Sequence, residues 1–243
     1  MDLVVDRGNT RVKYATFKGD QIKQSGECDA SAMERLLSDF SGEAQRLIIS
    51  SVAPLENKLL DKMQDSFATY LVLSSELSLP FANNYQSPET LGPDRLALVA
   101  GAQGKHPNTN ALVIDFGTCI TFDFIDASAT YHGGAISPGL EMRLKSLKEY
   151  TARLPKIQAD YPEDFVGANT RASILSGVVH GIINEVNGAI DAYKQRYPDI
   201  KIILTGGDLT FFDKKLKSGI FADENILLAG MYFILEHHAN KND

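Results

Sequence analysis

The 243-residue sequence has two cysteines and no tryptophan. Cys28 and Cys119 are too few for a disulfide framework, and neither belongs to a Cys-x-x-Cys pair. A single bridge stays open, but a reducing compartment, and hence a cytoplasmic protein, is the expectation. Positive charge is also short. Lys+Arg is 24 against 31 for Asp+Glu, a net charge of −7, which argues against nucleic acid or an anionic membrane held by bulk charge. A local basic pocket for a small anion remains compatible with that balance. No stretch approaches the roughly 20 apolar residues of a membrane span. Met1-Asp2-Leu3-Val4-Val5-Asp6 puts acids where a signal peptide has a basic flank and an apolar core. The Gly-x-x-x-x-Gly-Lys-[Ser/Thr] and Gly-x-Gly-x-x-Gly motifs, the Gly-x-Ser-x-Gly elbow and the protein-kinase signatures are all missing. His106, His132, His180, His237 and His238 lack zinc spacing.

Hydrophobic residues at 44% and charged residues at 23% are globular proportions, so the chain can bury a core. Its length fits one large domain or two compact ones. Leu3-Val4-Val5 is an apolar run ending at Asp6, followed by Gly8-Asn9 and alternation over 12–17, which predicts strand, turn and strand. Helical spacing covers 30–40 and 55–67, with buried strands at 47–49 and 70–73. Residues 78–90 hold Pro80, Asn83, Asn84 and Pro88 and read as a loop. Pro93 is placed as the first residue of a helix to about 104.

The second half opens like the first. Ala111-Leu112-Val113-Ile114 ends at Asp115, Gly117-Thr118 follows, and a strand covers 120–125. Asp6-Arg7-Gly8-Asn9-Thr10 thus recurs in outline as Asp115-Phe116-Gly117-Thr118, at an offset of 115 − 6 = 109 residues. This points to duplicated halves, 1–108 and 109–243. A strand at 131–136, helices at about 139–150 and 170–193, a buried strand at 202–204 and a last helix at 227–238 complete the pattern.

Several segments carry chemistry. An acid at a strand end followed by a Gly turn and a hydroxyl offers backbone N–H groups to a phosphate and a carboxylate to a cation or its water. One such turn is ordinary hairpin chemistry; two, half a chain apart, favour a polyphosphate. Lys13 either reaches a phosphate or is an exposed strand lysine. In Gly92-Pro93-Asp94-Arg95, at a helix start, Asp94 is a general base or a first-turn acid stabilising its own helix, and Arg95 is a carboxylate clamp or a surface cation. The glycines of 133–139 serve a ligand or interdomain packing. Thr170 reads as the N-cap of the long helix, a ligand-facing hydroxyl being the second reading. Thr205-Gly206-Gly207-Asp208 suits an adenosine-binding turn, with Asp208 as a helix cap the plainer reading.

Taken together, Asp6-x-Gly8-Asn9-Thr10-x-x-Lys13, Gly92-x-Asp94-Arg95, Asp115-x-Gly117-Thr118, Gly133-Gly134-x-Ile136-x-Pro138-Gly139, Gly167-x-Asn169-Thr170 and Thr205-Gly206-Gly207-Asp208 resemble the type III pantothenate kinases, from residue 2 to the last helix. The resemblance implies an α/β protein of two duplicated ribonuclease-H-like (actin-like) domains with mixed sheets and an interdomain nucleotide cleft. It implies an enzyme that phosphorylates pantothenate with ATP, the first step of coenzyme A biosynthesis. It assigns ATP contacts to Asp6, Arg7, Gly8, Asn9, Thr10, Arg11, Val12, Lys13 and Thr118. Tyr85, Gly92, Pro93, Asp94, Arg95 and Thr170 are then pantothenate contacts, with Asp94 the proton acceptor. Asp115 is the ligand of a monovalent cation, K⁺ or NH₄⁺, and Mg²⁺ accompanies ATP. The family forms homodimers with the pantothenate site near the subunit interface. Two residues depart from the family pattern: Arg7 stands where a small or apolar residue is usual, and Cys119, expected to be small, buried and apolar in behaviour, where Ala is common. A non-catalytic nucleotide-sensing regulator, or a kinase of the same superfamily acting on another small acceptor, is the alternative.

Overall fold

The computed structural model describes residues 1–8, 11–212, 215–216 and 220–242. The chain divides into two compact units. Unit 1 holds 1–107, 129–131 and 225–243; unit 2 holds 108–128 and 132–224.

Unit 1 is built on β1 (Asp2–Arg7), β2 (Arg11–Lys18), β3 (Gln21–Asp29), β4 (Arg46–Ser51) and β5 (Thr69–Val72), in the order β3-β2-β1-β4-β5. β1 runs antiparallel to β2 and parallel to β4, and β4 is parallel to β5. Leu3, Val4 and Val5 are all fully buried, the continuous apolar run expected of a strand covered on both faces. On one face α1 (Met33–Phe40) and α2 (Asn57–Ser66) close a core of Leu3, Val5, Val12, Leu37, Leu47, Ile49 and Met63. β6 (Ala82–Asn83) pairs with Thr130 and Tyr131. α3 (Pro93–Lys105) starts on proline, whose fixed φ suits a first helical position, and buries every residue from Arg95 to Ala102.

Unit 2 repeats the plan. β7 (Ala111–Phe116), β8 (Cys119–Ile125), β9 (Thr130–Pro138), β10 (Lys201–Thr205) and β11 (Ile220–Ala222) lie in the order β11-β10-β7-β8-β9. β7 is antiparallel to β8 and parallel to β10, which is parallel to β11. Strand for strand this is the arrangement of unit 1, as the 109-residue offset between the acidic turns required. α4 (Leu140–Glu149) and α5 (Thr170–Arg196) cover a core that includes Phe122, Phe124, Ile182 and Val186; α6 (Leu209–Phe212) adds Phe212. The last helix, α7 (Ile226–Asn242), packs on α3 in unit 1. Among the described residues no helix is long and apolar enough to cross a membrane. Both cysteines are free and half-buried, so Cys119 is less enclosed than expected.

Candidate active site

In unit 1 the site is assembled by the ends of β1 and β4 and the start of α3. Asp6 lies in register with Lys13 on β2 and Ser50 on β4. Burial lifts its carboxyl from 3.8 to about 6; the Ser50 hydroxyl opposes this, Asp94 adds negative charge, and Lys13 opposes again. Asp94 is therefore close enough to Asp6 for the two carboxylates to repel. The hairpin closes with Gly8 N–H donating to Arg11 O at 2.9 Å. Asn9 and Thr10 lie outside the described residues. Arg7 is half-buried at the end of β1. Arg11 is exposed and pairs with Glu27 at 4.0 Å, and Lys13 reaches the same carboxylate at 3.8 Å. Val12 is fully buried in the core, so its side chain is removed from any ligand and only its backbone is available.

The start of α3 places Gly92, Pro93, Asp94 and Arg95 together. Asp94 Oδ1 accepts the Arg95 N–H at 2.9 Å and folds back over Gly92. A Cβ at Gly92 would come 2.3 Å from that oxygen, while φ at −58° is open to any residue. Gly92 is thus demanded by the carboxylate and not by the backbone. Arg95 is only 5% exposed, and its guanidinium carbon lies 5.5 Å from the centre of the Tyr85 ring, a cation–π distance. Tyr85 stacks in turn on Tyr131, ring centres 6.1 Å apart. A carboxylate, a guanidinium and an aromatic wall are therefore held side by side. Arg95 as a solvated surface cation is corrected by its burial.

In unit 2 the chemistry gathers at the β7–β8 turn. Gly117 N–H donates to Cys119 O at 3.1 Å, and Gly139 N–H to Thr118 O at 3.0 Å, leaving Thr118 exposed. A Cβ on Gly139 would come 2.4 Å from Gly117 O, and one on Gly134 1.5 Å from Phe122 O. The glycines of 134–139 thus answer to close backbone packing inside unit 2. Gly206 has φ +104°, and a Cβ there would come 2.4 Å from Asp115 Oδ1. Asp208 N–H donates to Phe116 O at 3.0 Å, so the 205–208 turn is tied to the strand bearing Asp115. Burial pushes the Asp208 carboxyl up, and Glu141 adds to it. Asp115 is flanked in register by Thr121 and Thr205. Asp115 thus lies between two threonines, with Gly206 closing against its carboxylate. No group of three or more His, Cys, Asp or Glu among the described residues is placed to hold a metal ion.

Thr170 is exposed at the first position of α5, beside a groove of about 680 Å³ lined also by Arg143, Leu154 and Ile174. The cap of α5 is Asn169, whose Oδ1 accepts from Ala172 N–H at 2.9 Å. This corrects the expectation that Thr170 is the N-cap and leaves its hydroxyl for other work. Sequence reasoning missed Ser50 beside Asp6 and Tyr131 behind Tyr85. Neither lies in a motif, and only the strand register brings them in.

The family model for type III pantothenate kinase matches residues 2–192. A type III pantothenate kinase from Christiangramia forsetii is 42% identical over 240 residues, covering 97% of this chain and 98% of the relative. A solved structure from Campylobacter jejuni, described as a Baf family transcriptional activator, superposes with a TM-score of 0.66 over 98% of this chain and 99% of that one, at 21% identity. One from Listeria monocytogenes, described as an N-acetylmannosamine kinase, gives 0.59 over 98% and 99%, at 10% identity. At such identities the two structures speak for the fold alone, which is that of sugar kinases and actin with its two ribonuclease-H-like domains.

Proposed function

The chain belongs to the type III pantothenate kinases, and from that premise we propose how its residues share the work of the reaction. The reaction is ATP-dependent phosphorylation of pantothenate in coenzyme A biosynthesis, and a divalent metal accompanies the ATP. The observation that carries the residue assignment is the start of α3, where Asp94, Arg95 and Tyr85 stand together next to the buried Asp6. Asp94 accepts the proton of the pantothenate primary hydroxyl as the γ-phosphoryl group arrives. Arg95 holds the pantothenate carboxylate in a fork, and Tyr85 keeps that guanidinium in place. Gly92 and Pro93 line the same pocket, and Thr170 contributes a hydroxyl. Asp6 to Lys13, including Asn9 and Thr10, together with Thr118, form the ATP-facing set, in which Val12 acts through its backbone. Asp6 would face the nucleotide's Mg²⁺ and help hold it.

Asp115 holds K⁺ or NH₄⁺, which would neutralise part of the polyphosphate charge. Catalysis then rests on positioning and charge neutralisation, as a loose phosphoryl-transfer transition state demands. The enzyme works as a homodimer: Ile136, Tyr150, Phe165 and Val166 expose 62–86% of their surface, apolar side chains that a second copy would cover. Its two free thiols suit the cytoplasm.

A coupled ADP-release assay with pantothenate in potassium buffer tests the reading. Asp94→Asn should lower kcat by about two to four orders of magnitude, the usual contribution of a general base, with the melting temperature little changed. A near-normal kcat in that variant would remove the base assignment.

A further inference from the structure

The two sheets carry their acids in matching surroundings. Asp6 on β1 lies between Lys13 on β2 and Ser50 on β4. Asp115 has the same place on β7, between Thr121 on β8 and Thr205 on β10. Residues in register share a face of the sheet, with Cβ atoms about 4.5–5.5 Å apart across an antiparallel pair. On the β4/β10 side both units present a hydroxyl. On the β2/β8 side they differ: unit 1 has Lys13, whose ammonium lies 3.8 Å from Glu27 Oε1 and is the smallest of the influences on Asp6. Unit 2 places an uncharged hydroxyl there. Thr121 is 8% exposed, and its Oγ1 has no hydrogen-bond partner among the described residues. A buried hydroxyl left unpaired is costly, so a partner from outside the chain is called for.

We propose that Thr121 Oγ1 is a ligand of the monovalent cation at Asp115. The proposal rests on the reading that Asp115 holds such a cation. The donor set supports a single charge: one carboxylate and neutral oxygens, where a divalent ion usually gathers more carboxylates.

Thermal unfolding of the full chain with MgADP, in KCl and in NaCl at equal ionic strength, reads cation binding without turnover. The wild type should melt higher in KCl. Thr121→Val should lose that difference and raise the half-saturating K⁺ for pantothenate phosphorylation at least tenfold, while Thr121→Ser retains both. Thr121→Lys supplies the charge from the chain itself and should turn over equally in NaCl and KCl. A Val variant that keeps the K⁺-specific shift and the wild-type half-saturation overturns the proposal. So does a Lys variant that still needs K⁺, which decides the matter if the Val variant does not fold. A wild type that melts and turns over alike in both salts sinks the cation reading at Asp115 itself, a result distinct from a failure confined to Thr121.

Discussion

Burial lifts the Asp6 carboxyl from 3.8 to about 6, and Asp94 adds to the shift while Ser50 and Lys13 oppose it. A carboxyl raised in the folded state makes stability fall as pH rises. Below 3.8 the group is protonated folded or unfolded; between 3.8 and about 6 the folded chain holds the extra proton; above about 6 it carries a buried charge. At one pKa unit per 1.36 kcal/mol, the charge costs up to about 3 kcal/mol at neutral pH. Asp6→Asn without nucleotide should therefore melt higher than wild type at pH 7.5, with the gap closing toward pH 4, while its phosphorylation rate falls. A variant no more stable at pH 7.5 would show that the charge is well solvated. In the proposed reading, nucleotide-bound Mg²⁺ would give the carboxylate its counter-charge.

α3 carries Asp94 and Arg95 at one end and meets α7 along its length, and glycines set that meeting. A Cβ on Gly230 would come 1.8 Å from Ala97 O, and one on Gly101 2.2 Å from Ile226 O. The helices touch backbone to backbone, so even one methyl must push them apart. Gly230→Ala should destabilise by about 1–3 kcal/mol, the cost of overpacking, and raise KM for pantothenate as the start of α3 shifts. Gly188→Ala on α5, with nothing within 4 Å of the new carbon, should instead stabilise by about 0.4–1 kcal/mol. Thermal melts of the two variants decide it; a loss in both or a gain in both would refute the packing argument. This contact was not legible in the sequence, where Gly101 and Gly230 are isolated glycines in helical stretches. What was legible follows physical signal. The runs at 3–5 and 111–114 announced β1 and β7 because buried central strands are apolar throughout, and Pro93 fixed the start of α3. β3 escaped notice because Gln21–Asp29 is a largely exposed, polar edge strand without core residues, and β6, α6 and β11 are too short to show a period. Within the candidate site the motifs pointed to Asp6, Asp94 and Asp115. Asn169 and Thr170 are both good caps, and only the structure chose between them.

At the scale of the whole molecule the exposed apolar residues of unit 2 and the exposed Thr170 set up the last prediction. Tyr150 is 86% exposed and Val166 75%, in the stretch of chain that leads to Thr170, and burying them against a second copy accounts for both. If Asp94 of one subunit and Thr170 of the other serve the same pantothenate, two defective chains can complement each other. Asp94→Asn and Thr170→Arg, each alone, should be nearly inactive, the second because a bulky cation replaces a small exposed hydroxyl; Asn169 keeps the helix capped in both. When the two are co-expressed, random pairing makes about half of the dimers mixed, and each mixed dimer holds one site with both residues intact. About half of the wild-type rate should return, read in the ADP-release assay on mixed dimers purified through a different tag on each chain. If both residues of a site came from one subunit, every site in the mixed dimer would carry a lesion and no activity would return. Recovery therefore depends on the pairing of chains and on nothing local to either substitution, which no single-variant measurement can imitate.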